Sequence, residues 1–121
     1  MIRGLGLDLC ETGRMEKLLE DERFLNRYFT DGEIAYIRSK RKGAAQTMAG
    51  IFAAKEAFSK ALGTGIAFDL KEVSIRHDDR GRPFYELSGK AEEMGNGESF
   101  LLSVTHEGGI AAAVCVREDS L

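Results

Sequence analysis

The chain of 121 residues has no tryptophan, one proline and two cysteines. It also has no apolar run approaching the ~20 residues that a membrane-spanning helix requires. Without tryptophan, a core must rest on seven phenylalanines and the aliphatic side chains. Cys10 and Cys115 lack a C-x-x-C spacing and are too few for a disulfide framework or a zinc site, so a reduced setting is expected. An excess of basic charge is missing too. The 17 Lys and Arg are interspersed with 20 Asp and Glu for a net charge of −3, unlike the footprint of a nucleic-acid binder. The opening "MIRGLGLDLCETGR" has neither the uninterrupted apolar stretch nor the small-residue cleavage pattern of a signal peptide. Together these absences point to a soluble, cytoplasmic protein with no membrane or nucleic-acid partner.

What is present suits one domain over residues 1–121. Hydrophobic residues make up 43% and charged residues 31%, a soluble globular balance. A domain this small has much surface per core residue, which makes self-association an expected way of burying more of it. There is no internal repeat, linker or low-complexity tract.

The opening segment reads as a strand, with Leu5, Leu7 and Leu9 alternating with Gly6, Asp8 and Cys10 and with glycine at points of close approach. "ETGRMEKLLEDERFLNRYF" spaces its apolar residues helically, as one bent helix or two short ones. Thr30 and Glu33 form a capping-box pattern ahead of a short helix in "EIAYIRSK". From Ala44 to Leu62 there is no proline and a wealth of strong helix formers, so this is the main helix, stopped by Gly63 or Gly65. "EVSIRH" and "PFYEL" flank the turn "DDRGRP" as a β-hairpin, and "SGKAEEMGNG" reads as a short helix or loop. "SFLLSVTH" and "GIAAAVCV" are two further strands. The fold class is α+β, a long helix packed on an antiparallel sheet.

Within "FAAKEAFSKALGTG", Glu56 and Lys60 are four apart and so neighbours on a helix, as are Lys55 and Ser59. Spacing alone fits a solvated ion pair as well as a site. Asp8 interrupts an apolar strand on the face opposite Leu7 and Leu9, where it either caps a turn or faces the long helix and meets Glu56. Two carboxylates without a Cys or His partner suit Mg²⁺, which keeps several waters and takes further ligands from substrate phosphates. Lys60 would then neutralise phosphate charge, a constellation for phosphate-transfer chemistry. His106 ends a strand, as a structural residue or a donor to a nucleotide, and His77 reads as a solvated turn residue. "RSKRK" puts four cations into five positions, either as a solvated loop or as a grip on phosphate. Arg14, Lys17 and Arg23 line the early helices. Cys10 and Cys115 read as small apolar packers, and Met48, Phe52 and Phe58 as core.

"GLGLDLCETGRM", "FAAKEAFSKALGTGI" and "LSVTHEGGIAAAVCV", in that order and at these separations, resemble the holo-acyl-carrier-protein synthase family of small 4′-phosphopantetheinyl transferases. The hairpin region resembles it as well, so the likeness covers nearly the whole chain; the middle motif is the most specific. The resemblance implies transfer of 4′-phosphopantetheine from coenzyme A to a serine of an apo acyl carrier protein, in support of fatty acid biosynthesis. It implies Asp8 and Glu56 as the Mg²⁺-binding acids, and Lys60, Gly63, Gly65 and His106 in coenzyme A binding. Arg14 would face the acidic carrier protein. Glu56, directly or through a metal-bound water, is the first choice of base. Lys60 is the poorer one, since a lysine amine is ordinarily protonated at neutral pH. The resemblance further implies a homotrimer with active sites at subunit boundaries. Two positions depart from the family pattern: Ile51 stands where an arginine is frequent, and Glu107 where a small hydroxyl residue is frequent. A Mg²⁺-dependent nucleotide diphosphate hydrolase would use the same carboxylates and lysine, with water in place of serine. A binding module holding an acidic partner through the Arg14 region would need neither.

Overall fold

The computed structural model describes residues 1–119. Strand β1 (Ile2–Glu11) leads into two short helices, α1 (Thr12–Glu16) and α2 (Glu22–Tyr28), and then α3 (Asp31–Ser39) and the long α4 (Ala44–Leu62). The hairpin β2 (Val73–His77) and β3 (Pro83–Leu87), the short helix α5 (Gly89–Gly95) and the strands β4 (Ser99–Glu107) and β5 (Ile110–Glu118) complete the order. The early amphipathic stretch is thus two helices, not one bent one. β5 lies between β1 and β4 in an antiparallel sheet, while among the described residues β2 and β3 pair only with each other. No helix among the described residues is long and apolar enough to cross a membrane.

Local chemistry sets the helix boundaries. The Thr30 hydroxyl accepts from the Glu33 N–H at 3.1 Å and the Glu33 carboxylate accepts from the Thr30 N–H at 2.9 Å, closing the capping box that starts α3. Gly63, at φ 78°, ends α4 in the left-handed conformation that glycine adopts without a Cβ penalty.

Packing of α4 on β1 is decided by what the side chains lack. A Cβ at Gly4 would lie 2.0 Å from the Ala61 carbonyl oxygen, and one at Gly6 would lie 1.8 Å from that of Ala57. The strand and helix backbones therefore touch, and Gly6, Asp8 and Cys10 become the helix-facing side of β1. Leu5, Leu7 and Leu9 point outward, each about 60% exposed. Beneath the sheet, Ala49, Ala53, Ala54, Ala57 and Ala61 of α4 are fully or nearly fully buried. Met48 and Phe58 are fully buried and Phe52 nearly so, while Cys10 and Cys115 pack as buried apolar groups. The polar pair Lys55 and Ser59 is also buried.

His77 departs from its expected solvation. Its ring stacks on Tyr36 at 4.1 Å between centroids and 9° between planes. The hairpin is folded back on α3, so a residue at the strand end becomes half-buried rather than free.

Candidate active site

Register between β1 and α4 assembles the first group of polar residues. With Gly4 against Ala61 and Gly6 against Ala57, two further strand residues, or about 6.8 Å, carry Asp8 roughly one helical turn toward Ala53. Glu56 and Lys60 follow Ala53 at the next two turns of α4. The Lys60 ammonium donates to the Asp8 carboxylate at 3.1 Å and to the Leu7 carbonyl at 2.9 Å. Asp8 is mostly shielded at 17% side-chain exposure, whereas Lys60 is open at 54%. Burial raises the Glu56 pKa, Asp8 raises it further, and the Lys60 and Arg14 charges oppose both. That coupling places four charged groups from three elements in one field. Among the described residues, no cluster of three or more His, Cys, Asp or Glu could hold a metal ion. A cation here would have the two acids and would need its remaining ligands from water or substrate.

Glu56 also lines a cavity of about 650 Å³. Arg14 and Arg27 rim it, Tyr28 and Phe52 supply aromatic surface, and Phe68, Asp69 and Leu70 form part of its wall. Each arginine is held over an aromatic face, Arg14 at 5.6 Å from the Phe52 ring centre and Arg27 at 5.3 Å from that of Tyr28. Arg27, Tyr28 and the wall residues were not singled out by the sequence reading. They come from α2 and from the loop after α4, and no spacing along the chain marks them.

His106 sits elsewhere. The Gln46 side-chain amide is hydrogen-bonded to its Nδ1 at 2.7 Å. From Gln46 to Glu56 is ten helical residues, about 15 Å along the axis of α4. Beside His106 a small cavity of about 90 Å³ is lined by Tyr36, Ile51, His77 and Val104. Ile51 is buried, so it offers this region only apolar surface, and Glu107 is exposed. Arg38, Lys40, Arg41 and Lys42 are largely exposed on the adjoining segment, Arg38 paired with Glu22 and Lys40 set 4.7 Å over the Tyr36 ring. Gly63 and Gly65 are exposed at the C-terminal end of α4, with φ of 78° and 72°. One chain therefore groups Asp8, Glu56, Lys60 and Arg14, and leaves His106 apart.

Lys55 belongs to neither group. Its side chain is fully buried and its ammonium lies 2.8 Å from the Glu33 carboxylate. Burial pulls its pKa down, and the Glu33 charge acts in the opposite direction.

Comparison with known proteins places this geometry in context. Residues 4–115 match the family described as the 4′-phosphopantetheinyl transferase superfamily. The chain is 51% identical to a holo-[acyl-carrier-protein] synthase of Treponema denticola, over 98% of this chain and 99% of that protein. A solved holo-(acyl-carrier-protein) synthase of Bacillus anthracis in complex with coenzyme A (3′,5′-ADP) superposes with TM-score 0.83 at 36% identity, covering 99% of each chain. A Helicobacter pylori holo-[acyl-carrier-protein] synthase in complex with coenzyme A gives TM-score 0.83 at 31% identity, covering 94% of this chain and 99% of that one.

Proposed function

Because the chain belongs to the 4′-phosphopantetheinyl transferase superfamily, we propose that it transfers 4′-phosphopantetheine from coenzyme A to a serine of an apo acyl carrier protein. One observation supports the residue roles: Asp8 and Glu56, 48 positions apart in the chain, feel each other's charge, Lys60 is paired with Asp8, and Glu56 lines an arginine-rimmed cavity.

The serine comes from the partner, so the chain needs no nucleophile of its own. Its Oγ attacks the phosphorus attached to pantetheine. The bond from that phosphorus to the bridging oxygen breaks, and adenosine 3′,5′-bisphosphate departs with the electron pair. Glu56 takes the hydroxyl proton, directly or through a water. Lys60 offers its ammonium to the diphosphate, and Gly63 and Gly65 bring exposed backbone beside it. Asp8 and Glu56 would hold Mg²⁺, whose oxygen-rich preference fits this pair. When bound, the ion would supply charge neutralisation at the diphosphate. Arg14 and Arg27 would meet the acidic surface of the carrier, with Phe52 and Tyr28 receiving an apolar side chain.

His106 enters through assembly. Within one chain it is too far along α4 to share a ligand's diphosphate with Glu56. A second copy could present its His106 and its "RSKRK" segment to the nucleotide. Supporting this is the outer sheet face, where Leu5, Leu7, Leu9, Leu101 and Ile110 are 41–64% exposed. We propose a homotrimer with a site at each boundary, acting in the cytoplasm on a carrier protein of fatty acid synthesis.

The test is incubation of the protein with apo carrier protein, coenzyme A and Mg²⁺, followed by intact-mass analysis. The carrier should gain one phosphopantetheine, and chelation of the metal should prevent it. Failure to modify any carrier from its own source while folded and metal-replete would overturn the reading. Phosphopantetheine release at the same rate without carrier would indicate hydrolysis instead.

A further inference from the structure

Lys55 uses all three of its ammonium protons on three parts of the fold. It lies 2.8 Å from Glu33 of α3, and it donates to the carbonyls of Leu70 at 2.9 Å and Val73 at 2.8 Å. Glu33 is equally committed: beyond the Thr30 N–H it accepts the Ile75 N–H at 2.8 Å. The pair is fully buried, with side-chain exposures of 0% and 1%, and each of its charged atoms has a partner. Such a knot joins α3 and α4 to the start of the hairpin.

Its place relative to the site matters more than its burial. The next residue, Glu56, lines the 650 Å³ cavity, and Leu70, whose carbonyl Lys55 holds, lines the same cavity with Ile66, Phe68 and Asp69. Among the described residues, the chain from Thr64 to Phe68 makes one hydrogen bond, from the Thr64 hydroxyl to the Gly65 carbonyl at 3.3 Å. Its upstream end is held by Gly63, whose N–H caps α4. At its downstream end, Lys55 clamps the first turn after the loop to the helical turn that carries Glu56. A loop pinned at both ends keeps its length between the pins; released at one end, it samples a wider set of positions.

We propose that Lys55 is a positioning residue: by gripping Glu33 and the Leu70 and Val73 carbonyls, it fixes the cavity wall opposite Glu56 and thereby the docking of the carrier protein's serine segment. This rests on the transfer reading above. The helix contributes Glu56 to the cavity and the clamped loop contributes Phe68 and Asp69. A single ammonium sets the width between them.

Lys55→Met alone would leave Glu33 buried without its counter-charge, so the informative variant is Lys55→Met with Glu33→Gln. It leaves no buried charge and keeps a side-chain acceptor for the Thr30 N–H. Steady-state kinetics with apo carrier, coenzyme A and Mg²⁺ should show the carrier KM rising about tenfold, and the coenzyme A KM shifting by less than about threefold. In the same variant, hydrogen exchange should accelerate for the bonded amides of Lys71, Glu72 and Val73 while α4 stays protected. A carrier KM equal to wild type, with kcat reduced only in proportion to the folded fraction, would make Lys55 structural glue and overturn the proposal. So would unchanged exchange at Lys71, Glu72 and Val73. If the wild-type protein modifies no carrier, the transfer reading fails, and the exchange measurement alone decides whether Lys55 holds the loop.

Discussion

At the scale of single residues, Glu56 carries the clearest consequence. Its folded pKa lies above the ordinary value of 4.5, chiefly through burial and then through Asp8. The folded protein therefore keeps a proton over a pH window in which the unfolded chain has lost it, and above that window the charged form costs stability. Glu56→Gln is expected to raise the thermal midpoint of the metal-free protein at neutral pH, with the gain vanishing below about pH 4.5, while transfer is lost. Melting curves in chelator across that pH range would check it, and a lower midpoint at neutral pH would refute it. His77 runs in the other direction. Burial first and Lys40 second lower its pKa from 6.5, with Asp78 and Glu33 opposing. The unfolded chain thus takes up a proton more readily than the folded one, so stability is intact above 6.5 and declines as pH falls through that value. His77→Phe keeps a ring against Tyr36 but cannot be protonated, and it should flatten the loss of denaturation free energy between pH 7 and pH 5.

Among the elements, β1 and α4 matter most because their contact has no room for a side chain. Alternation of leucine with glycine and aspartate in "GLGLDL" would, by hydrophobicity alone, turn the leucines inward. The glycines reverse that choice: only a strand face without Cβ atoms can approach the Ala57 and Ala61 carbonyls so closely. Gly6→Ala should therefore destabilise the fold by about 3 kcal/mol or more, because backbone rather than a flexible side chain must move. Chemical denaturation would measure it, and a change below about 1 kcal/mol would contradict the packing described. Because the same register sets Asp8 against α4, surviving Gly6→Ala protein should also show reduced transfer. Element boundaries, by contrast, were largely legible in advance. The capping box, the unbroken run from Ala44 to Leu62 and the glycine after it are local signals, and the structure follows them.

For the whole molecule, the question is what covers the outer face of the sheet. Leu5, Val116 and Leu101 lie side by side across β1, β5 and β4, and both leucines are well exposed. Under the proposed assembly this row is buried between copies, and each site borrows a histidine from a neighbour. Leu5→Glu with Leu101→Glu should yield a folded monomer by light scattering and circular dichroism. Transfer should fall on the order of a hundredfold, although neither residue touches the candidate site. A wild-type protein that is monomeric at working concentration yet fully active would remove the basis for a shared site.

The sequence by itself determined the set of elements, the candidacy of Asp8 and Glu56, and the family resemblance. Those depend on propensity, capping and motif, which act within a few residues of chain. The tertiary structure decided which face of β1 turns inward, and that His106 stands apart from the carboxylates in a single chain. It also decided that Lys55 is buried while its neighbour Glu56 reaches the cavity. Arg27, Tyr28 and the loop wall joined the site only through folding. Each of these outcomes is a contact between segments distant in the chain, governed by backbone approach and desolvation, and a one-dimensional pattern carries neither.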